Sequence, residues 1–209
     1  MKGWLVFIAM LLASNAAMGS EGSCTYTTYQ WNIYSRKAVG YRKVVKPYAE
    51  LTAAEIDAQS GCSVCEEDQV TLAFPGLRPF KVCKHIAQRV RQAMVILLKA
   101  REPLREVTGY RVGMTRGEID PSGNRTGFSN HSFGVALDVN TAQNGLYENC
   151  IEFGPACSLM MGGQWDPDQP FSLTQDSPIV LEFKRSGFKW GGEIAGKQKD
   201  FMHFSPTGY

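Results

Sequence analysis

Ser129-Asn130-His131-Ser132-Phe133-Gly134-Val135-Ala136-Leu137-Asp138-Val139-Asn140 carries one of three histidines in the chain and sets an aspartate inside an apolar run. Val135, Ala136, Leu137 and Val139 read as a buried strand. A carboxylate in that setting is costly unless it is paired or bound to a metal. Residues seven apart on a regular strand point to opposite faces, so His131 and Asp138 share a ligand only if the strand bends. Gly134 lies between them and permits a bulge or bend. The plain alternative is an aspartate capping a turn at Asn140 beside a surface histidine. A metal reading needs a further ligand from elsewhere in the chain.

That ligand is available near the C-terminus, in Asp200-Phe201-Met202-His203. A short strand there presents His203, with Phe201 on the same face, and a His/Asp/His set suits zinc with one position open. Asp200 then stands near the metal as a candidate general base for an attacking water.

The surrounding chain bounds the setting. It has 209 residues, 44% hydrophobic and 20% charged, which fits one domain able to bury a core, with an appended segment. Lys2, an apolar run from Leu5 to Ala13 and a small-residue stretch to Ser20 read as a secretory signal peptide over residues 1–19, too short to span a bilayer. Loss of Lys2 with that leader takes the formal charge from +2 to +1. Such a balance excludes the basic footprint of a nucleic-acid binder. No second apolar run exists, so no membrane span is expected in the mature protein, which is placed in the periplasm or secreted.

Six cysteines in an exported chain point to disulfides. Cys62 and Cys65 have the spacing of a zinc or redox pair, but neither a helix nor a βαβ pattern surrounds them. Cys150 and Cys157 pair with each other, while Cys24, Cys62, Cys65 and Cys83 pair among themselves in one of three ways. Residues 20–80 form a disulfide-containing N-terminal extension. It has a strand over 26–34, a short helix over 52–58 with a Thr52/Glu55 capping box, and several aromatics, mostly strand and core material though a carbohydrate surface is the other reading. The main domain spans 81–209. Within it the periodicity of Ile86, Val90, Ala93, Met94, Leu97 and Leu98 gives a helix over 84–101 limited by Pro103, with His85 exposed near its start. A strand over 106–114, a loop over 117–127 and an irregular stretch over 141–175 follow. A helix over 179–185 starts after Ser177-Pro178 and stops at Gly187. Short strands over 188–192 and 201–204 close the chain.

The first stretch resembles the SxHxxGxAxD motif of the M15 zinc peptidases, which include D-alanyl-D-alanine carboxypeptidases, dipeptidases and phage endolysins. Asp200 to His203 matches their second motif, and Trp190-Gly191-Gly192 is similar to the approach to it. The resemblance spans roughly residues 84–209. It implies zinc held by His131, Asp138 and His203, with Asp200 as base and proton carrier to the leaving amine. It also implies an arginine for the substrate carbonyl, Arg111 in Gly109-Tyr110-Arg111 first and Arg116 second, because a permanent forked charge suits an oxyanion. Ser129 and Trp190 take substrate-binding positions, and peptidoglycan peptides are the expected partner. The implied fold is α+β, a small antiparallel sheet carrying the zinc with helices packed on one side. The other function class is a zinc-containing module that binds a wall peptide or protein without cutting it, as in hedgehog signalling domains. An acid at position 200 favours the enzyme, because a structural zinc needs no base.

Overall fold

The computed structural model describes residues 22–209, so the expected leader over 1–19 lies outside the described residues. Among the described residues the fold is α+β, with short sheets and two α-helices.

A long hairpin opens it. Strand β1 (Ser23–Asn32) buries Cys24, Tyr26 and Thr28 at alternate positions. The Asn32 carboxamide oxygen accepts hydrogen bonds from the backbone N–H groups of Tyr34 and Ser35 and closes the turn into β2 (Lys37–Pro47). After the hairpin, the Thr52/Glu55 capping box is present, but it caps a single 3₁₀ turn, Ala53–Glu55. Strands β3 (Gln69–Leu72) and β4 (Phe80–Cys83) pair antiparallel.

Helix α1 (Ala87–Lys99) turns Val90, Ala93, Met94 and Leu97 inward, and His85 before it is exposed. Strand β5 (Val107–Thr108) is shorter than expected. The expected loop over 117–127 is instead part of a second hairpin, β6 (Met114–Ile119) with β7 (Arg125–Phe128). Its glycines resemble loop punctuation, but Gly117 and Gly123 take positive φ at irregular points and the turn while the flanking residues pair. β6 also joins β1, so the first sheet runs β2-β1-β6-β7.

Strand β8 (Leu137–Val139) lies near the end of the stretch quoted first. The irregular region after it contains two more strands, β9 (Leu146–Glu148) and β10 (Ser158–Met161), joined across the Cys150–Cys157 disulfide loop. Helix α2 (Pro178–Arg185) starts on Pro178, as expected, and Gly187 beyond it takes φ +84°. Strands β11 (Lys189–Trp190), β12 (Gln198–Asp200) and β13 (His203–Ser205) complete the chain, with β12 pairing onto β9. Phe201 and Met202 form a turn between β12 and β13, not part of a strand.

The central sheet, ordered β11-β13-β8-β5, is antiparallel throughout. Its register pairs Asp138 with His203 and Leu137 with Phe204. Adjacent strand residues face opposite ways, so one face carries the polar pair and the other the apolar pair. Leu137 and Phe204 share one core with α1 and with Ile179, Val180 and Phe183 of α2, which sets the helices on the apolar face. Each such fully buried side chain contributes about 1.5–3 kcal/mol, which fixes the register that displays the other face. A smaller cluster of Cys24, Tyr26, Val64, Cys65 and Val112 lies under the hairpin. The four N-terminal cysteines pair as Cys24–Cys65 and Cys62–Cys83.

Candidate metal centre and cleft

The stretch from Ser129 to Asn140 is not one bent strand. Asn130–Phe133 forms a 3₁₀ turn, Gly134 takes the left-handed conformation at φ +67°, and β8 begins three residues later. A Cβ at Gly134 would also sit 2.0 Å from Gln69 Oε1 and 2.7 Å from the Cys83 nitrogen, so position 134 requires glycine on both grounds. The turn, more than a bulge, delivers His131 to the face that already displays Asp138 and His203.

Three donor atoms meet there. His131 Nε2 lies 3.0 Å from Asp138 Oδ1 and 3.2 Å from His203 Nδ1, and His203 Nδ1 lies 3.1 Å from Asp138 Oδ1. Ligands about 2.0–2.1 Å from a tetrahedral zinc stand roughly 3.3 Å apart, so the triangle has the size of a metal face. All three residues are buried. His131 Nδ1–H donates to the Gly109 carbonyl at 2.8 Å, which leaves the Nε2 lone pair for a ligand. The donor set therefore fits a metal ion.

Asp138 has a second partner. Arg111 Nη2 donates to its Oδ2 at 2.7 Å. Burial alone would raise the Asp138 carboxyl, but the interactions of His131 and His203 with it hold it well below the usual carboxylate range. Gly109-Tyr110-Arg111 thus acts residue by residue. Gly109 accepts from His131, the Tyr110 hydroxyl donates to the Val64 carbonyl at 2.7 Å, and Arg111 holds Asp138.

Asp200 stands at the end of β12, one tight turn before His203, and edges the same cleft. Its Oδ1 is buried without a hydrogen-bond partner. Burial pushes the carboxyl up to about 6; His203 opposes that rise and Asp138 adds to it, while Arg111 and Arg116 oppose it more weakly. Trp190 does not reach the cleft. It is 4% exposed in the core, and its indole N–H donates to the Phe201 carbonyl at 2.8 Å. A Cβ on Gly191 would come within 2.3 Å of the Asp200 carbonyl oxygen. Trp190 and Gly191 therefore hold the 200–203 turn in place.

Ser129 is buried at the cleft edge, 3.4 Å from Ser132 Oγ, and Ser132 in turn bonds Gly113. Arg116 also lines the cleft, its guanidinium 4.6 Å above the Tyr209 ring. The cleft encloses about 540 Å³. One wall is made by the N-terminal hairpin, through Tyr29, Trp31 and Tyr41. The aromatics among residues 20–80 are the sequence signal for this wall, and they do not say which face meets the site.

Residues 122–206 match a family model of the M15 peptidases described as D-alanyl-D-alanine carboxypeptidase. Over that segment the chain is similar to the M15 peptidases. The M15 match covers His131, Asp138, Asp200 and His203, and it begins after Arg111 and Arg116. Comparison with curated proteins and with solved structures gives no match.

Proposed function

We propose that this protein is an exported zinc peptidase that hydrolyses peptide bonds in peptidoglycan stem or cross-link peptides, as a D-alanyl-D-alanine carboxypeptidase or an endopeptidase. The observation that carries this reading is the buried His131/Asp138/His203 triangle with an unpartnered Asp200 oxygen on the same cleft. Three disulfides support export. Among the described residues no helix is long and apolar enough to cross a membrane.

His131, Asp138 and His203 would hold the zinc, which when bound supplies Lewis-acid polarisation of a carbonyl and a more acidic water. Asp200 takes a proton from the attacking water and returns it to the leaving amine. A carboxyl raised toward neutrality suits both transfers, and a bound cation favours its ionised, basic form. Arg111 uses one arm on Asp138 and keeps its remaining donors for the scissile carbonyl oxygen. Arg116, further along the cleft, supplies a second permanent charge for a substrate carboxylate. Burial of the triangle limits competing water, which strengthens each of these charges.

The test is incubation of the purified protein with muropeptides, with and without a chelator, and mass analysis of the products. Released D-alanine assigns a carboxypeptidase, and separated cross-linked peptides assign an endopeptidase. Activity should vanish with the chelator and return with zinc. Intact substrates in the zinc-loaded reaction would overturn the enzymatic reading.

A further inference from the structure

The N-terminal hairpin does more than close the cleft. Thr28 of β1 faces Arg42 of β2 and Gln30 faces Val39, so Tyr29 alone stands opposite both Gly40 and Tyr41. This is a β-bulge with Gly40 at φ +64°, and such bulges re-aim a side chain. Here the bulge brings Tyr41 beside Tyr29, ring centroids 5.3 Å apart at 37°, and Trp31 follows two residues on. Tyr29 itself lies against Gly113, where a Cβ would come within 2.6 Å of the ring. The Gln30 side chain donates to the Arg125 carbonyl at 3.2 Å and ties the hairpin to β7.

The Tyr41 ring is open to solvent, while Tyr29 and Trp31 are half-buried. Tyr41 is 67% exposed, unusual for a large ring at the edge of a buried site. Polar side chains of Thr115, Arg125 and Gln198 line the same cleft. Aromatic faces carry negative charge density and attract polarised C–H groups, while polar neighbours serve hydroxyls and amides. That mixture suits a ring with an apolar face and a polar rim, and an aliphatic side chain alone would leave the polar groups unused. From Tyr29 to Trp31 the wall runs about 7 Å along β1, in the cleft that Arg111 also lines.

We infer that this wall is a saccharide subsite: Tyr29, Trp31 and Tyr41 take an N-acetylated amino sugar, and the peptide attached to it runs on to the triangle. The inference rests on the cleft being a peptidoglycan peptidase site. It makes glycan-attached stem peptides the preferred ligands over free peptides.

The experiment compares two probes, a free stem peptide and the same peptide amide-linked to a disaccharide of N-acetylated amino sugars. Binding to the zinc-loaded protein is followed by calorimetry, and hydrolysis is followed separately by mass. The linked peptide should bind about tenfold more tightly. Trp31→Ala and Tyr41→Ala should each bring the ratio of the two affinities within about threefold. Tyr41 is exposed, so its variant serves even where Trp31→Ala fails to fold. Equal affinities in the wild-type protein, or a ratio unchanged in both variants, overturn the saccharide subsite. A preserved ratio without hydrolysis of either probe overturns the peptidase reading and leaves the subsite standing.

Discussion

Arg111 and Asp138 meet at 2.7 Å through Nη2 and Oδ2, while the other carboxylate oxygen faces both histidines. The arginine therefore fixes the rotation of a candidate ligand besides offering charge to a substrate. Outer partners of metal ligands commonly account for 10- to 100-fold in metal affinity. Arg111→Met should lower zinc affinity by about that factor, read by competition with a chelating dye. Unchanged affinity with reduced turnover would leave Arg111 an oxyanion group only.

Asp200 contacts none of the three donor atoms within hydrogen-bond distance, so its loss should separate chemistry from metal binding. Asp200→Asn should keep one equivalent of zinc and reduce kcat by about 100- to 10,000-fold. Elemental analysis and single-substrate kinetics on one preparation check both halves. Wild-type turnover in a zinc-loaded variant would remove Asp200 from the proton-transfer role.

The three donors that the fold brings together, His131, Asp138 and His203, stand in two short segments with an unusual polar-in-apolar pattern that the sequence displays. The manner in which they meet was not legible there. Period-two reasoning required a bent strand between His131 and Asp138, whereas the chain uses a 3₁₀ turn ended by Gly134. A turn of four residues leaves no periodic signal. Asp138 and His203 converge because they are cross-strand partners, a long-range register that depends on Leu137 and Phe204 finding the helices. The two hairpin strands over 114–128 were hidden by glycines that look like loop punctuation. Trp190 is near the site in sequence but its indole faces the core, since burial and a hydrogen bond to Phe201 satisfy it there. The Gly109 carbonyl under His131 has no side-chain signature at all.

Gly134 carries both a positive φ and a close approach to Gln69 and Cys83. Gly134→Ala should destabilise the fold by about 2–4 kcal/mol, from backbone strain plus displacement of neighbours. Gly154 has no atom within 4 Å of a built Cβ, so Gly154→Ala serves as the control and should unfold as the wild type does. Denaturant unfolding of the two variants makes the comparison. Equal midpoints would mean that the turn can reshape without glycine.

Glu55 gives the fold a pH dependence that is independent of the metal centre. It is 5% exposed, and its carboxylate accepts from Lys46 Nζ at 2.7 Å, from the Thr52 N–H and hydroxyl at 2.9 and 2.8 Å, and from the Tyr26 hydroxyl. Burial alone would raise the carboxyl, but the Lys46, Tyr26 and Thr52 bonds together lower it from 4.5 to about 2. A carboxyl depressed in the folded state stabilises fully above the unfolded value and loses that contribution as pH falls toward the folded one. The contribution is therefore complete at pH 7, declines between about 4.5 and about 2, and is absent below that window. Glu55→Gln removes the charge while keeping the shape, so it should cost about 2 kcal/mol at pH 7. The gap between wild-type and variant denaturant midpoints should close as the pH is taken down through the window. A gap that stays constant with pH would show that Glu55 acts through its shape and neutral hydrogen bonds, with no contribution from its charge.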